Sequence, residues 1–330
     1  MAERDPMTRR GFVRNVAAGA AGALALTGAA SAAPDDTKKS RVVIVRHSGA
    51  TDKDDVKAGP VEQMIDRAML ELTGAANVRA AWEHYFKPHE RIGIKVNARG
   101  GPTIAVAPCV LKVCVDRLTA IGIPAQNIIF YDMYADDLKN SGMSKEGFHG
   151  AQVMTSDVGW SPELEQGVWK GSLTTIVTEK VDAIINLPIL KDHVLAGVTL
   201  ALKNHYGTIN NPSKYHADNC DPAVADINAT PAIRDKHRLV ICDGTRSLPD
   251  GGPHLKPGFL LYTNMILAAS DPVAHDTIGW QIIEEQRKTE FKLPPLARVG
   301  RPTKHLRSAA ERGLGTDQLD RIEKIDITLA

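Results

Sequence analysis

The chain has 330 residues, of which 43% are hydrophobic and 5% aromatic, with 40 Lys and Arg against 39 Asp and Glu. This apolar content over this length can bury a large core, which excludes a disordered or fibrous protein. Proteins that bind nucleic acid usually carry a clustered basic excess, and a formal net charge of +1 gives no such footprint. The composition therefore predicts a globular protein without a nucleic-acid partner.

The N-terminal segment has the pattern of an export signal. Arg9 and Arg10 precede Gly-Phe-Val, and an Ala- and Gly-rich apolar stretch follows over residues 16–30. The segment ends in Ala30-Ser31-Ala32, which is a small-x-small cleavage site. A transmembrane anchor is the alternative, but this stretch is not strongly hydrophobic and ends at a cleavage site. The pattern therefore favours a twin-arginine signal peptide.

This signal divides the chain into three predicted parts. Residues 1–32 are the signal peptide, 33–40 a polar linker and 41–330 one α/β domain. We expect the twin-arginine export machinery to deliver the protein to the periplasm or outside the cell. No later segment approaches the ~20 apolar residues that a membrane-spanning helix needs, so we expect no membrane span in the mature form.

The chain contains four cysteines at positions 109, 114, 220 and 242, and no two of them form a C-x-x-C pair. A domain of this size does not need disulfides for its stability. The spacing also argues against an iron–sulfur cluster or a zinc site built from cysteines alone. We expect buried free thiols.

Apolar runs alternate with segments of helical periodicity along the mature chain. The predicted strands are 41–46, 92–97, 128–132, 183–188, 239–243 and a last edge strand at 325–329. The predicted helices are 61–73, 78–86, 108–121 and 272–288, with a partly helical basic region at 298–313. Asp271 is the predicted N-cap of the helix at 272–288. Residues 133–171 show little periodicity and are predicted to form a small irregular insertion. The alternation predicts a single large α/β domain whose mostly parallel sheet is covered by helices on both faces.

Polar residues close three of the predicted strands, namely Asn97, Asp132 and Asp243. Ligands of open α/β sheets gather at the carboxyl ends of the strands, so we place the candidate site at this edge. Lys95, Asn97 and Asp243 are predicted to bind substrate there. Asp132 and Asp243 could each instead cap the turn that follows it.

The densest block of chemically capable residues spans 186–207. Lys203 lies there in an apolar stretch, where burial lowers the pKa of a lysine unless an anion pairs with it. Such a lysine can hold a carboxylate or phosphate, act as a base, or form a covalent link to a carbonyl. The alternative is a lysine whose ammonium reaches from a helix into solvent.

Several cations and imidazoles near Lys203 favour a functional site, because such groups are costly to bury unless they are paired or used. The predicted catalytic residues are Lys191, His193, Lys203 and His205. Together with Lys95, Asn97 and Asp243, Asn204 is predicted to bind a small anionic substrate or cofactor. Lysines would neutralise developing negative charge and a histidine would move the proton.

Three imidazoles, those of His193, His205 and His216, lie close enough in sequence to converge on a metal ion. Their spacing matches no established metal signature, and H-E-x-x-H is absent from the sequence. A histidine at a strand end is more often a hydrogen-bonding structural residue. A metal or redox-cofactor carrier therefore stays as an alternative to an enzyme, as does a periplasmic anion-binding module.

Four blocks of the sequence resemble the DUF362 family, from about Arg41 to the helix after Asp271. They are Ile94-Lys95-Val96-Asn97, Pro188-Ile189-Leu190-Lys191-Asp192-His193, Leu202-Lys203-Asn204-His205-Tyr206-Gly207 and Asp271-Pro272-Val273-Ala274-His275-Asp276. The resemblance implies an α/β domain widespread in bacteria and archaea, with no settled activity. Some members are joined to ferredoxin-like cysteine clusters, which this sequence lacks.

A more distant similarity connects the pattern Pro-x-x-Lys-x-His at 188–193, with Lys203, to the lactate racemase family. Those enzymes attach a nickel pincer cofactor to a lysine and use histidines as bases and as a ligand. The Gly-Gly before the lysine in that family is replaced here by Leu-Ala-Leu at 200–202. The sequence thus favours an enzyme, and it leaves the reaction class open.

Overall fold

A ten-stranded sheet runs through the protein in the computed structural model, which describes residues 39–330. All of these residues belong to one compact unit. The predicted signal peptide and most of the predicted linker lie outside the described residues. Within 39–330, no helix combines the length and the apolar character required to cross a membrane.

The described residues form short strands and helices in alternation. The strands are β1 (Ser40–His47), β2 (Thr51–Asp52), β3 (Asp55–Val56), β4 (Ile92–Val96), β5 (Ile128–Asp132), β6 (Gln152–Thr155), β7 (Leu164–Gln166), β8 (Trp169–Gly171), β9 (Ala183–Leu187), β10 (Ile189–His193), β11 (Gly197–Val198), β12 (His237–Leu248), β13 (Leu261–Ala269) and β14 (Ile322–Leu329). The helices are α1 (Ala58–Thr73), α2 (Val78–Tyr85), α3 (Pro108–Ala120), α4 (Ala135–Asn140), α5 (Leu200–Asn204), α6 (Ala223–Ala229), α7 (Pro231–Arg234), α8 (Pro272–Thr289) and α9 (Lys304–Glu311).

The order of strands in the main sheet is β14-β1-β13-β12-β9-β4-β5-β6, with β10 beside β12 and β11 beside β10. Strand β13 is antiparallel to both of its neighbours, β1 and β12. The other pairs along this path are parallel. The prediction of a mostly parallel α/β sheet is therefore confirmed.

Helices cover both faces of the sheet. Successive side chains along a strand point to opposite faces, so one strand can contribute to a core on each side. On β1, Val43 and Val45 join a core with residues of α1, α2 and α3. Their neighbours Val42 and Ile44 join a second core with residues of α5 and α8. A third core, on the side of α6 and α9, buries Trp169.

A buried carboxylate holds the short helix α5 in place. Asp276, on α8, accepts hydrogen bonds from the backbone N–H groups of Ala201 and Leu202, each at 2.8 Å. These are orphan donors at the start of a helix of only five residues, which would not be stable alone. Helices α5 and α8 pack closely, since a Cβ at Gly279 would lie 2.7 Å from Leu200 Cδ1.

The structure differs from the sequence expectations in three places. The predicted irregular insertion contains α4, the hairpin of β7 and β8, and strand β6, which pairs with β5 at the edge of the main sheet. Strand β12 continues to Leu248, so Asp243 lies within a strand rather than at its end. Strands β10 and β13 were not predicted. The predicted N-cap is confirmed, because Asp271 accepts from the N–H groups of Val273 and Ala274.

Asp276→Ala should lower the free energy of unfolding by about 2–4 kcal/mol, because it leaves two buried N–H groups without an acceptor. Urea unfolding measures the change. The control is Glu285→Ala, an exposed position on the same helix, which should change stability by less than about 0.5 kcal/mol. Equal stability of the Asp276 variant and the parent would contradict this role.

Candidate active site

A cavity of about 310 Å³ opens where β4 and β5 end, beside β10 and α5. Six of the residues predicted from the sequence line it together, namely Asn97, Lys191, His193, Lys203, Asn204 and His216. They come from three separate stretches of the chain. Parallel strands end at the same edge of a sheet, which explains why these stretches meet.

Lys95, at the end of β4, forms a buried ion pair below the cavity. Its Nζ lies 2.8 Å from Asp132 Oδ1 at the end of β5 and 3.1 Å from Asn204 Oδ1 on α5. It also donates to the carbonyl of Val96 at 2.7 Å. Burial lowers the pKa of Lys95, and the charge of Asp132 opposes that shift. Lys95 therefore holds other residues of the site in place and does not itself line the cavity.

A network of amides continues from this ion pair into the cavity wall. Asn204 Nδ2 donates to Asn186 Oδ1 at 2.8 Å, and Asn204 Oδ1 accepts from Asn97 Nδ2 at 3.3 Å. Asn97 Oδ1 is buried and has no hydrogen-bond partner among the residues that the structure describes. Because buried polar atoms are normally paired, Asn97 can accept a hydrogen bond from a bound molecule.

Lys191 lies on β10 and is fully buried. Its Nζ donates to the carbonyl oxygens of Arg99 at 2.6 Å and Pro253 at 3.3 Å. Burial lowers the pKa of Lys191 to about 7, against opposing effects from nearby carboxylates. The ammonium is therefore held between two loops at the rim of the cavity.

The loop that carries Pro253 is anchored by Asp192, the residue next to Lys191. Asp192 Oδ1 accepts from the N–H of Gly252 at 2.6 Å, and its Oδ2 lies 2.6 Å from Arg301 Nη1. A Cβ at Gly252 would lie 2.2 Å from the carbonyl oxygen of Asp192, so this close approach requires glycine. Asp192 therefore positions one of the two carbonyls that hold Lys191.

Lys203, on α5, lines the cavity and is only 7% exposed to solvent. Its Nζ is 3.4 Å from the centre of the Tyr206 ring and 3.4 Å from His216 Nε2. Burial lowers the pKa of Lys203 to about 8, which confirms the shift expected from its apolar sequence context. Burial also lowers the pKa of His216, and the charge of Lys203 adds to that shift.

His193 has a fixed tautomer. Its Nδ1 accepts hydrogen bonds from the backbone N–H groups of Leu195 and Ala196, both at 3.1 Å, so the ring proton lies on Nε2. Burial, reinforced by Lys203 and His216, holds the pKa of His193 far below its usual range. The ring is therefore a neutral hydrogen-bond donor. It stacks on His216 with 6.0 Å between ring centres.

Some of the basic side chains around the cavity are paired with a carboxylate and others are not. Lys95 pairs with Asp132, and Arg99 pairs with Asp137 at 3.1 Å. Within residues 39–330, neither Lys191 nor Lys203 lies within ion-pair distance of a carboxylate. Burying a cation is costly unless it is paired, so these two lysines leave the cavity able to accept negative charge.

Besides Lys95, two of the predicted site residues lie outside the cavity lining. His205 is fully buried, neither of its ring nitrogens has a partner within residues 39–330, and its ring centre is 6.1 Å from that of His237. Asp243 accepts from the N–H of Ala107 at 2.8 Å and from Thr245 Oγ1 at 2.6 Å. Asp243 thus connects the middle of β12 to the start of α3, and it does not cap a turn at the end of its own strand.

The predicted metal ligands do not assemble, since only His193 and His216 of the three face the cavity. Among the residues that the structure describes, no group of three His, Cys, Asp or Glu side chains is placed to hold a metal ion. All four cysteines are free. The geometry therefore gives the metal hypothesis no support.

Tyr206 and the loop around Pro253 are parts of the site that the sequence reasoning missed. Tyr206 follows Lys203 by three residues, and this spacing places both side chains on one face of a helical turn. That signal was available in the sequence. Pro253 lies 62 residues from Lys191 in the chain, and no local pattern connects the two.

No curated protein matches the chain. A similar solved structure is that of a Thermotoga maritima protein, with 10% sequence identity and a TM-score of 0.44. The match covers 73% of this chain and 60% of that one, so this chain spans about three fifths of its length.

The model of a family described as a domain of unknown function, DUF362, matches residues 92–281. This range is well over half of the chain and includes β4, β5, β10 and α5, which surround the cavity. The chain therefore belongs to the DUF362 family.

Proposed function

We propose that the protein is an enzyme that binds a small organic anion in this cavity and acts on it by lysine and histidine chemistry. One observation supports this proposal above the others. Lys191 and Lys203 are both buried at the cavity, and neither has a carboxylate partner among the described residues. A bound anion would supply the missing negative charge.

The side chains around these lysines suggest how the site would work. The two ammonium groups would hold the anion and stabilise negative charge that develops on it. His193 Nε2–H would donate a hydrogen bond without changing its protonation state. His216 is the imidazole that contacts Lys203 directly, so it is the group best placed to accept or return a proton.

We also propose that residues 1–32 direct export through the twin-arginine pathway, so that the protein works in the periplasm or outside the cell. The support is the Arg9-Arg10 pair before an apolar stretch and a small-x-small cleavage site.

Lys191→Met and Lys203→Met should each weaken the binding of acetate and pyruvate by about tenfold or more, because each removes a charged hydrogen-bond donor. Lys203→Met should not melt below the parent, since it removes a buried cation that has no carboxylate partner among the described residues. Lys191→Met should stay folded but lose about 1–3 kcal/mol of stability, because the carbonyls of Arg99 and Pro253 lose their donor. Calorimetry and thermal unfolding measure the two effects. Lys139→Met, at an exposed lysine, is the matched control and should change neither. Unfolded Lys191 and Lys203 variants would show instead that these lysines are structural.

The pH dependence of binding and that of stability should have opposite signs. Anion affinity should fall as the pH rises through about 7 to 8, because Lys191 and Lys203 lose their protons there. Between that range and the ordinary lysine pKa of 10.5, the unfolded chain binds more protons than the folded one. The ligand-free protein should therefore become more stable as the pH rises.

The test compares thermal unfolding of the parent with that of the double variant Lys191→Met, Lys203→Met across this range. The difference between them isolates the two lysines from other titrating groups. Parallel stability profiles for the two proteins would rule out depressed pKa values at these positions.

Replacing Arg9 and Arg10 together by lysine should keep the full-length precursor in the cytoplasm of a bacterium with a twin-arginine system. Cell fractionation followed by immunoblotting measures the distribution. Arg14→Lys is the control and should still be exported and shortened. Undiminished export of the double variant would count against this pathway.

A further inference from the structure

The two unpaired lysines differ in what their amines contact. Lys191 Nζ donates to two carbonyl oxygens, which favour its charged form and occupy its N–H groups. Among the described residues, the hydrogen-bond contact of Lys203 Nζ is with His216 Nε2 at 3.4 Å, and the Tyr206 ring and the Cys220 thiol are the other groups that interact with it. The amine of Lys191 is therefore fixed in position by two acceptors, whereas that of Lys203 faces a group that can take its proton.

The tautomer of His216 follows from this contact. An ammonium group only donates hydrogen bonds, so the Nε2 atom that faces Lys203 must carry a lone pair. The backbone of Pro212 and Ser213 lies beside the same ring and raises its pKa, against the effect of burial. His216 is therefore oriented as a proton acceptor toward Lys203.

We infer that Lys203 is a nucleophilic amine that forms an imine with the carbonyl carbon of a 2-oxo acid, while Lys191 binds the carboxylate of that acid. This inference rests on the proposed anion site and specifies its substrate class. A lysine whose amine is desolvated in an apolar site is a usual setting for such chemistry.

The reaction is balanced within the cavity. The Lys203 ammonium passes a proton to His216, and the freed lone pair of Nζ attacks the carbonyl carbon. A C–N bond forms as the C=O π bond breaks, and His216 returns its proton to the oxygen to give a carbinolamine. His216 then takes the second proton from the nitrogen and passes it to the hydroxyl group. The C–O bond breaks, water leaves and a C=N bond forms, so that Lys203 ends as a protonated imine. No oxidant, reductant or further reactant is consumed.

The charges and donors around the cavity favour a 2-oxo monocarboxylate over a phosphate. The carboxylates of Asp132 and Asp137 also line the cavity and would repel a dianion. Lys191 has already given two N–H groups to carbonyl oxygens, so it has one left for a carboxylate oxygen. The neutral His193 Nε2–H suits a carbonyl oxygen as acceptor.

The protonation state of Lys203 is compatible with this role. With a pKa of about 8, roughly a tenth of its amine is neutral at pH 7. That fraction is about 300-fold greater than for an ordinary lysine of pKa 10.5.

The experiment traps the imine by reduction. The purified protein is incubated separately with glyoxylate, pyruvate and 2-oxoglutarate in the presence of sodium cyanoborohydride, and the adducts are located by intact mass and peptide mapping. We expect one adduct per chain on Lys203 with glyoxylate or pyruvate, and slower trapping with 2-oxoglutarate, which is a dianion. Labelling should be at least tenfold faster than at Lys214, an exposed lysine that also lies near a tyrosine ring.

Three further results are expected from the same assay. Lys203→Arg should give no adduct at position 203, acetate should slow trapping by competing for the site, and His216→Gln should slow trapping at least tenfold in a folded protein. Adducts on Lys191 or on surface lysines alone, for all three acids, would overturn the inference. If acetate still binds in that case, the anion site stands, whereas loss of both results would remove the proposed function as well.

Discussion

The buried ion pair between Lys95 and Asp132 is the interaction on which the site depends. It joins the end of β4 to the end of β5, and through Asn204 it reaches α5, so one ammonium fixes three elements that are far apart in sequence. Asp132 Oδ2 also accepts from the N–H of Ala98, which turns the chain just beyond β4. Loss of either partner would leave the other as an unpaired buried charge at the floor of the cavity.

The same edge of the sheet thus contains lysines of two kinds. Lys95 has its counter-ion within the protein and contributes to order, whereas Lys191 and Lys203 are buried at a cost that the protein alone does not offset. Natural proteins tolerate such a cost where it serves binding or catalysis. The contrast between paired and unpaired cations separates the supporting residues from those that face a ligand.

The sequence predicted much of the fold because its strong signals are local. Strand β5 has the bounds that its apolar run indicates, and the cap at Asp271 is where its position before Pro272 places it. Strand β13 was missed because Asn264 and the polar residues near it interrupt the alternation of apolar and polar side chains that indicates a strand. Asn264 also has a positive φ, which is unusual within a strand. Strand β10 was missed because its Lys191, Asp192 and His193 are polar residues that only tertiary contacts bury.

The candidate site was predictable in part for the same reason. Residues that follow strands, such as Asn97, and the block around Lys203 could be found because parallel strand ends converge. The prediction could not separate Lys203 from His205, two residues later, because their burial depends on how α5 is held by Asp276. Asp243 was placed at a strand end because the polar residues after it resemble a loop, whereas β12 continues through them.

Lys191 connects two loops that are otherwise distant in the chain, since its Nζ contacts the carbonyls of Arg99 and Pro253. The third N–H group of this ammonium is left for a guest molecule. A guest that accepts it is therefore linked through a single nitrogen atom to both loops, so the same group supports the rim of the cavity and its contents.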